Sequence, residues 1–195
     1  RALRLTYVNA WPDEAFGYND LPDVPNRAAV FDRALAAMAA MRPDRIVIAC
    51  NTLSILYPHT SFSARAAVPV VGILEAAVGY FKTVLDADAD SHLVLIGTKT
   101  TIESGQHRTR LLEQGIAPAR ITGHHCHGLA GAIEKDPDSA RVSDLIESCA
   151  AGISVGVSSH GPLLLGLCCT HYTYVADRLQ AAAERHAGRA VRVLD

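Results

Sequence analysis

No run of apolar residues in this 195-residue sequence approaches the ~20 that a membrane-spanning helix needs. No stretch has the apolar segment of a secretory signal either: residues 1–10 carry two Arg and no hydrophobic block. Charge of one sign is also missing, since 18 Lys and Arg face 20 Asp and Glu for a formal net charge of −2. That balance gives no electrostatic footprint for nucleic acid or for an anionic membrane. Extensive disorder is excluded by 49% hydrophobic residues and the small net charge. Cysteine is present without a framework: Cys50, Cys126, Cys149, Cys168 and Cys169 are odd in number and irregularly spaced, unlike a secreted disulfide scaffold. Chemistry or core packing in a reducing compartment explains them better, so the expected location is the cytoplasm. The first residue is Arg1 and not Met, which leaves room for a natural N-terminus upstream.

What is there is an alternation of strands and helices. Residues 3–8 read as a short strand, followed by a long loop over 9–25 that holds Pro12, Gly17, Pro22 and Pro25. Phe31, Leu35, Met38 and Met41 recur at helical spacing within 26–42, and Pro43 stops that helix. The apolar run 45–49 reads as a strand covered on both faces. A helix over 53–66, a strand over 68–74 and a helix over 75–87 follow. The second half repeats the plan: a strand at 93–96, then a helix running to about Gln114 with Thr100 and Glu103 as its capping box and Gly115 as its stop. Strands at 121–125, 163–167 and 191–194 alternate with helices at 138–152 and 173–187, the last stopped by Gly188. Such alternation predicts an α/β fold with mostly parallel sheets and helices on both faces.

An internal echo sharpens this reading. A buried strand ends at Cys50-Asn51-Thr52 and another at Cys169-Thr170-His171, and each is followed by a helix and then by a strand ending in an acid, at Glu75 and Asp195. Two similar three-layer lobes facing one another across an active site fit that pattern. Ligands in open parallel sheets bind beyond the carboxyl ends of the strands, where both cysteines sit just before a helix. Free N–H groups and partial positive charge at a helix start hold a carboxylate and lower a thiol pKa. One such cysteine suggests a nucleophile. Two, from opposing lobes, suggest a thiolate that removes a substrate α-proton and a thiol that returns one to the other face, inverting the stereocentre.

These residues resemble a known family. Ala49-Cys50-Asn51-Thr52 and Cys169-Thr170-His171-Tyr172 resemble the paired cysteine motifs of the aspartate/glutamate racemase superfamily, the His-Tyr ending being most like glutamate racemase. Ile96–Ser104 resembles its Gly-Thr-x-x-Thr…Ser segment, Cys126-His127-Gly128-Leu129-Ala130…Glu134 its Cys-Pro…Glu segment, and Gly72–Glu75 the stretch after the first cysteine motif. The resemblance implies a cofactor-independent, metal-free amino-acid racemase with the substrate between two α/β lobes. It implies Cys50 and Cys169 as acid/base residues, with His171 and Glu134 tuning the Cys169 side. Asn51, Thr52, Thr98, Thr101 and Thr170 would bind the substrate's carboxylates and ammonium, and Phe16-Gly17 falls roughly where the family has a substrate-touching Tyr-Gly loop. The lobes are expected at 1–80 and 81–188, with 189–195 starting the return to the first. A homodimer is implied as well.

The departures bear on specificity. The family's N-terminal strand and Asp-Ser-Gly turn, which serves the first cysteine, have no counterpart here, and the chain stops at Asp195 where the family continues. That fits either a truncated chain or one lacking part of its first lobe. Cys168 replaces a Gly, Thr173 a Pro, and His107 stands where a Tyr is common. The expected substrate is glutamate or a similar acidic amino acid. Alternatives are an aspartate, hydantoin or other amino-acid racemase of the superfamily, or an inactive binding protein on the same scaffold. A zinc or redox protein using His124–His127 and Cys168–Cys169 is a third class. Strand alternation lets at most two of His124, His125, Cys126 and His127 share a metal, so Cys149 or His160 would have to complete a tetrahedral site. Trp11 and Tyr18 are candidates to line or cover a cleft; Cys149 lies on an apolar helix stripe and reads as core.

Overall fold

A computed structural model describes residues 3–10, 17–153, 157 and 161–195. Trp11, Phe16 and His160 lie outside the described residues. The chain divides into two compact units, one formed by 1–48 with 56–71 and the other by 49–55 with 72–195.

In the first unit, α1 (Val24–Ala40) begins at Asp23, whose side chain accepts the Asn26 N–H, as an N-cap should. Its buried face is Ala28, Phe31 and Leu35. Strands β1 (Ile46–Ile48) and β2 (Val70–Gly72) pair in a two-stranded sheet, and Val47 and Val71 leave apolar surface exposed there. Asp32 on α1 accepts from the Phe62 N–H and the Ser61 hydroxyl, tying the 57–65 segment to that helix.

Two expectations fail in this part of the sequence. Residues 3–8 are not a strand: they pair with no described strand, and Leu3 is 90% exposed. A strand pattern needs a neighbouring edge to become a strand, and periodicity carries no information about that edge. The helix expected over 53–66 is instead the short α2 (Asn51–Leu56) followed by a 3-10 turn, Tyr57–His59. Pro58 ends the α-helical ladder because it has no N–H to donate.

The second unit is a three-layer α/β/α sandwich. Strands β3 (His92–Gly97), β4 (Ile121–His125), β5 (Leu163–Cys168) and β6 (Val191–Leu194) form one sheet in the order β4-β3-β5-β6, and every pairing is parallel. The central strands β3 and β5 are buried along their whole length, as parallel strands covered on both sides must be. Alternation sorts their side chains. Val94, Ile96, Leu163, Leu165 and Leu167 face α6 (Leu129–Lys135), α7 (Ala140–Ile153) and α8 (Ala176–Ala187). Leu93, Leu95 and Leu164 face α3 (Leu74–Ala87) and its neighbours. Each fully buried apolar side chain of this kind contributes about 1.5–3 kcal/mol.

The helix expected to run unbroken to Gln114 is two helices, α4 (Lys99–Glu103) and α5 (Gln106–Glu113). Gly105, with φ +65°, turns the chain between them, a backbone state that glycine adopts without steric cost. The cap is Thr98 and not Thr100: the Thr98 side chain accepts from the Thr101 N–H. The expected helix over 173–187 opens as a 3-10 turn, Thr170–Val175, and becomes α-helical at Ala176. Gly188 ends it in the left-handed conformation, as expected.

Candidate active site

Cys50 precedes the first turn of α2, and Cys169 follows β5 as the residue before the 170–175 turn. Both are free thiols in the second unit. They are close enough that charge on Cys50 raises the pKa of Cys169. Cys169 lines a cavity of about 290 Å³ together with Asn51, Thr170, Ile73, Tyr80 and Asp195, a size suited to a small molecule.

The Cys50 turn is built from its own backbone. The Cys50 carbonyl accepts from the Ser54 N–H at 2.9 Å and from the Ser54 hydroxyl at 2.8 Å. Ser54 Oγ in turn accepts from the Ile73 N–H at 3.1 Å. Gly72 makes room for this bridge, because a Cβ there would lie 2.7 Å from Ser54 Oγ. Beside it, the hydroxyls of Thr52, Thr98 and Thr101 form a buried triangle with edges of 2.9, 3.0 and 3.0 Å. These three oxygens are committed to one another and fasten α2 to the start of α4.

On the other side, Cys169 Sγ lies 3.9 Å from His171 Nδ1, and His171 Nε2 lies 2.7 Å from Glu134 Oε2 on α6. A carboxylate can only accept, so the imidazole N–H at Nε2 donates to Glu134. In the neutral ring Nδ1 then carries the lone pair and faces the Cys169 sulfur. This is the base–orienter arrangement that prepares a histidine to take a proton.

The thiols depart from expectation in one respect. A helix start was expected to lower their pKa, yet both are raised. Burial pushes Cys50 up, against the Leu53 and Thr52 backbone N–H groups, which pull it down. Burial pushes Cys169 up to about 12, with Cys50 adding to the rise against the N–H groups of His171 and Tyr172. Loss of solvation outweighs a few N–H groups. Each sulfur is therefore a thiol at neutral pH unless a base or a bound cation intervenes. Alkylation of Cys169 by iodoacetamide is expected to accelerate with pH past the ordinary thiol value of 9.0 and to level off only near 12. A plateau below pH 9 would contradict this. The same shift makes the fold favour the protonated sulfur, so stability from this group is full below pH 9 and is lost as pH rises towards 12.

The remaining candidates fall as follows. Gly17 is buried in the first unit, where its N–H donates to Asp20 Oδ2 at 2.8 Å. Tyr18, a candidate to line a cleft, is instead packed: it is buried, its hydroxyl donates to the Ala10 carbonyl, and its ring meets Phe31 edge-on. Cys126 and Cys149 are both core residues, as expected of Cys149, and they are joined as a disulfide with a Cα–Cα distance of 5.3 Å. The expectation of chemistry or core packing, without a disulfide framework, did not anticipate that bridge, because the two residues lie on separate elements 23 positions apart. Among the described residues, no three His, Cys, Asp or Glu side chains converge as metal ligands, and no helix is long and apolar enough to cross a membrane. His160 is outside the described residues.

Two contributors were not singled out from sequence. Tyr172 is fully buried and donates from its hydroxyl to the Cys126 carbonyl at 3.1 Å, linking the second cysteine turn to the start of α6. His107, noted only as a departure from a tyrosine, has Nε2 2.9 Å from Asn51 Oδ1.

Comparison with known proteins points to one family. The family described as Asp/Glu/Hydantoin racemase matches residues 13–195. Glutamate racemase from Campylobacter jejuni is 34% identical over 120 residues, which are 58% of this chain and 47% of that protein. Glutamate racemase from Helicobacter acinonychis is 25% identical over 181 residues, covering 89% of this chain and 68% of that one. The crystal structure of the Campylobacter jejuni glutamate racemase superposes with a TM-score of 0.69 at 20% identity, covering 92% of this chain and 77% of that one. The chain thus spans about half of the first of these relatives in aligned sequence and two thirds of the second, and it shares the fold of the superposed structure. The chain belongs to the Asp/Glu/Hydantoin racemase family.

Proposed function

We propose that this chain is an amino-acid racemase that interconverts L- and D-glutamate, or a closely similar acidic amino acid, by proton transfer between two cysteines and without a cofactor. The observation that carries the reading is that Cys50 and Cys169, distant in sequence, lie near enough for charge on Cys50 to raise the Cys169 pKa, with Cys169 lining a small cavity beside Asn51 and Thr170.

The chemistry follows from the groups present. One sulfur, as thiolate, removes the proton from Cα, and the electron pair left behind delocalises into the α-carboxylate. The opposite thiol then gives its proton to the other face, so a thiolate and a thiol are regenerated with their places exchanged. An α-proton is a very weak acid, so fixed donors must stabilise the developing charge. Asn51 and Thr170 line the cavity and serve that purpose. Because both thiol pKa values are raised, a base must first take a proton. His171, held by Glu134 with its Nδ1 towards Cys169, does this on one side. The ammonium group of the substrate favours thiolate on both sides once bound. Thr52, Thr98 and Thr101 act by holding the Asn51 turn in place.

Relatives named glutamate racemase support glutamate as the substrate. Circular dichroism tests this directly: L-glutamate incubated with the chain should lose its signal to an equimolar mixture, and D-glutamate should do the same from the opposite sign. A faster loss with aspartate or a hydantoin would reassign the substrate, and no loss with any of them would contradict the reaction.

A further inference from the structure

We infer that His107 is a positioning residue, whose Nε2–H fixes the Asn51 side-chain amide so that its NH2 group is presented to the cavity as a donor for a substrate carboxylate. This rests on the reaction proposed above, but its geometry stands separately. His107 Nε2 and Asn51 Oδ1 are 2.9 Å apart, on α5 and α2, and 56 positions apart in sequence. Both residues are deeply buried, His107 at 2% exposure and Asn51 at 4%. Asn51 lines the cavity beside Cys169 and Thr170, whereas His107 stands behind it.

The proton assignment follows from what each atom can do. An amide oxygen only accepts, so the imidazole proton in this bond is on Nε2. Burial, with Arg110 adding to it, lowers the His107 pKa to about 4, so at neutral pH the ring has a single N–H. That proton is committed to Asn51, and Nδ1 is left buried with no hydrogen-bond partner. The Asn51 amide, for its part, has an accepting end and a donating end of nearly equal shape. Turned one way it offers NH2 to the cavity; turned the other it offers oxygen, which repels a carboxylate. With the proton on Nε2, only the first orientation keeps the bond to His107, since the second sets NH2 against N–H, so the ring tautomer and the amide orientation go together. Among the described residues no protein acceptor takes the Asn51 NH2 group, which leaves it for a ligand.

The break between α4 and α5 makes this contact. Gly105, at φ +65°, ends one helix and starts the next, with His107 as the second residue of α5. A continuous helix would rotate each residue by a fixed angle from Thr98 onward and would set position 107 on a different bearing from the one it holds.

A tyrosine and phenylalanine pair separates positioning from packing, because the two differ by one hydroxyl. Full-length wild type, His107→Tyr and His107→Phe are compared for glutamate binding by calorimetry and for racemisation. The Phe variant, with no donor, is expected to bind glutamate about tenfold more weakly and to raise KM in proportion, with a smaller effect on kcat. The Tyr variant should recover most of that loss. In an Asn51→Ala background, His107→Phe should cost nothing further. Equal affinities for the Tyr and Phe variants would overturn the proposal. Independently of any variant, 15N NMR of labelled histidine in the wild-type protein should show His107 protonated at Nε2 and bare at Nδ1 at neutral pH. A ring protonated at Nδ1 would overturn it as well. A wild type that binds glutamate without racemising it would contradict the reaction and not the role of His107, because the binding difference and the tautomer are read without turnover.

Discussion

Replacing either Cys50 or Cys169 with serine is expected to reduce racemisation of glutamate at least 10³-fold while leaving the fold in place. Proton transfer by a positioned group contributes about 10²–10⁴-fold, and a serine hydroxyl is far too weak an acid or base to substitute. The change is nearly isosteric. Cys169 is buried, and its sulfur lies 3.9 Å from His171 Nδ1 and accepts from the His171 and Tyr172 backbone N–H groups, which a serine oxygen can also accept from. Cys50 is anchored through its backbone carbonyl by Ser54, which the substitution leaves alone. The two variants should differ in a telling way. Each retains one thiol, so each should still exchange the α-proton of a single enantiomer with solvent, and it should be the opposite enantiomer in each case. Full racemisation by either single variant would contradict the two-thiol mechanism.

The second large effect is expected at the pair behind Cys169. His171→Asn should lower kcat about 100-fold with little change in KM, because in the proposed reaction His171 takes a proton from the thiol and does not hold substrate. Glu134→Gln should have a smaller effect, about tenfold. The 2.7 Å contact between Glu134 and His171 keeps the imidazole proton on Nε2, and a glutamine can hold the ring without stabilising the imidazolium that forms. Both variants should also move the pH at which kcat begins to rise towards higher values, because the Cys169 thiol, with a pKa pushed up to about 12, would then depend on solvent hydroxide. An unchanged pH profile in His171→Asn would show that His171 does not act on Cys169. Binding affinity serves as the control, since neither residue lines the cavity.

Much of the fold is legible in the residues. The continuous apolar runs of β3 and β5 could only be strands covered on both faces, and they are. The helical stripe of α7, Val142, Ile146, Cys149 and Ile153, is buried as its spacing requires. Local signals failed where the outcome depends on something distant or on one residue's backbone. Residues 3–8 have the alternation of a strand, but among the described residues they pair with no strand. Pro58 and Gly105 each interrupt a helix whose hydrophobic pattern continues past them. The cap at Thr98 could be mistaken for Thr100 because both precede a plausible helix, and only the backbone geometry distinguishes them.

The candidate site divides in the same way. Residue types at strand ends pointed to Cys50, Asn51 and Cys169 as candidates, and the roles expected of His171 and Glu134 came from a family resemblance. The direction of the thiol pKa shift was not legible. It depends on depth of burial, and a helix start looks the same in sequence whether it is wet or dry. The contact of His107 with Asn51 joins two helices through one buried bond, and no spacing or periodicity encodes such a pair. The Cys126–Cys149 bridge is invisible for the same reason.

The most direct test of two sulfurs acting on one carbon is racemisation in deuterium oxide, followed from each enantiomer separately at early times. If one thiol removes a proton and the other delivers one, the product should carry deuterium at Cα while the remaining substrate keeps its hydrogen, whichever enantiomer is the starting material. Deuterium appearing equally in substrate and product from the outset would mean a single group serving both faces, and would contradict the account.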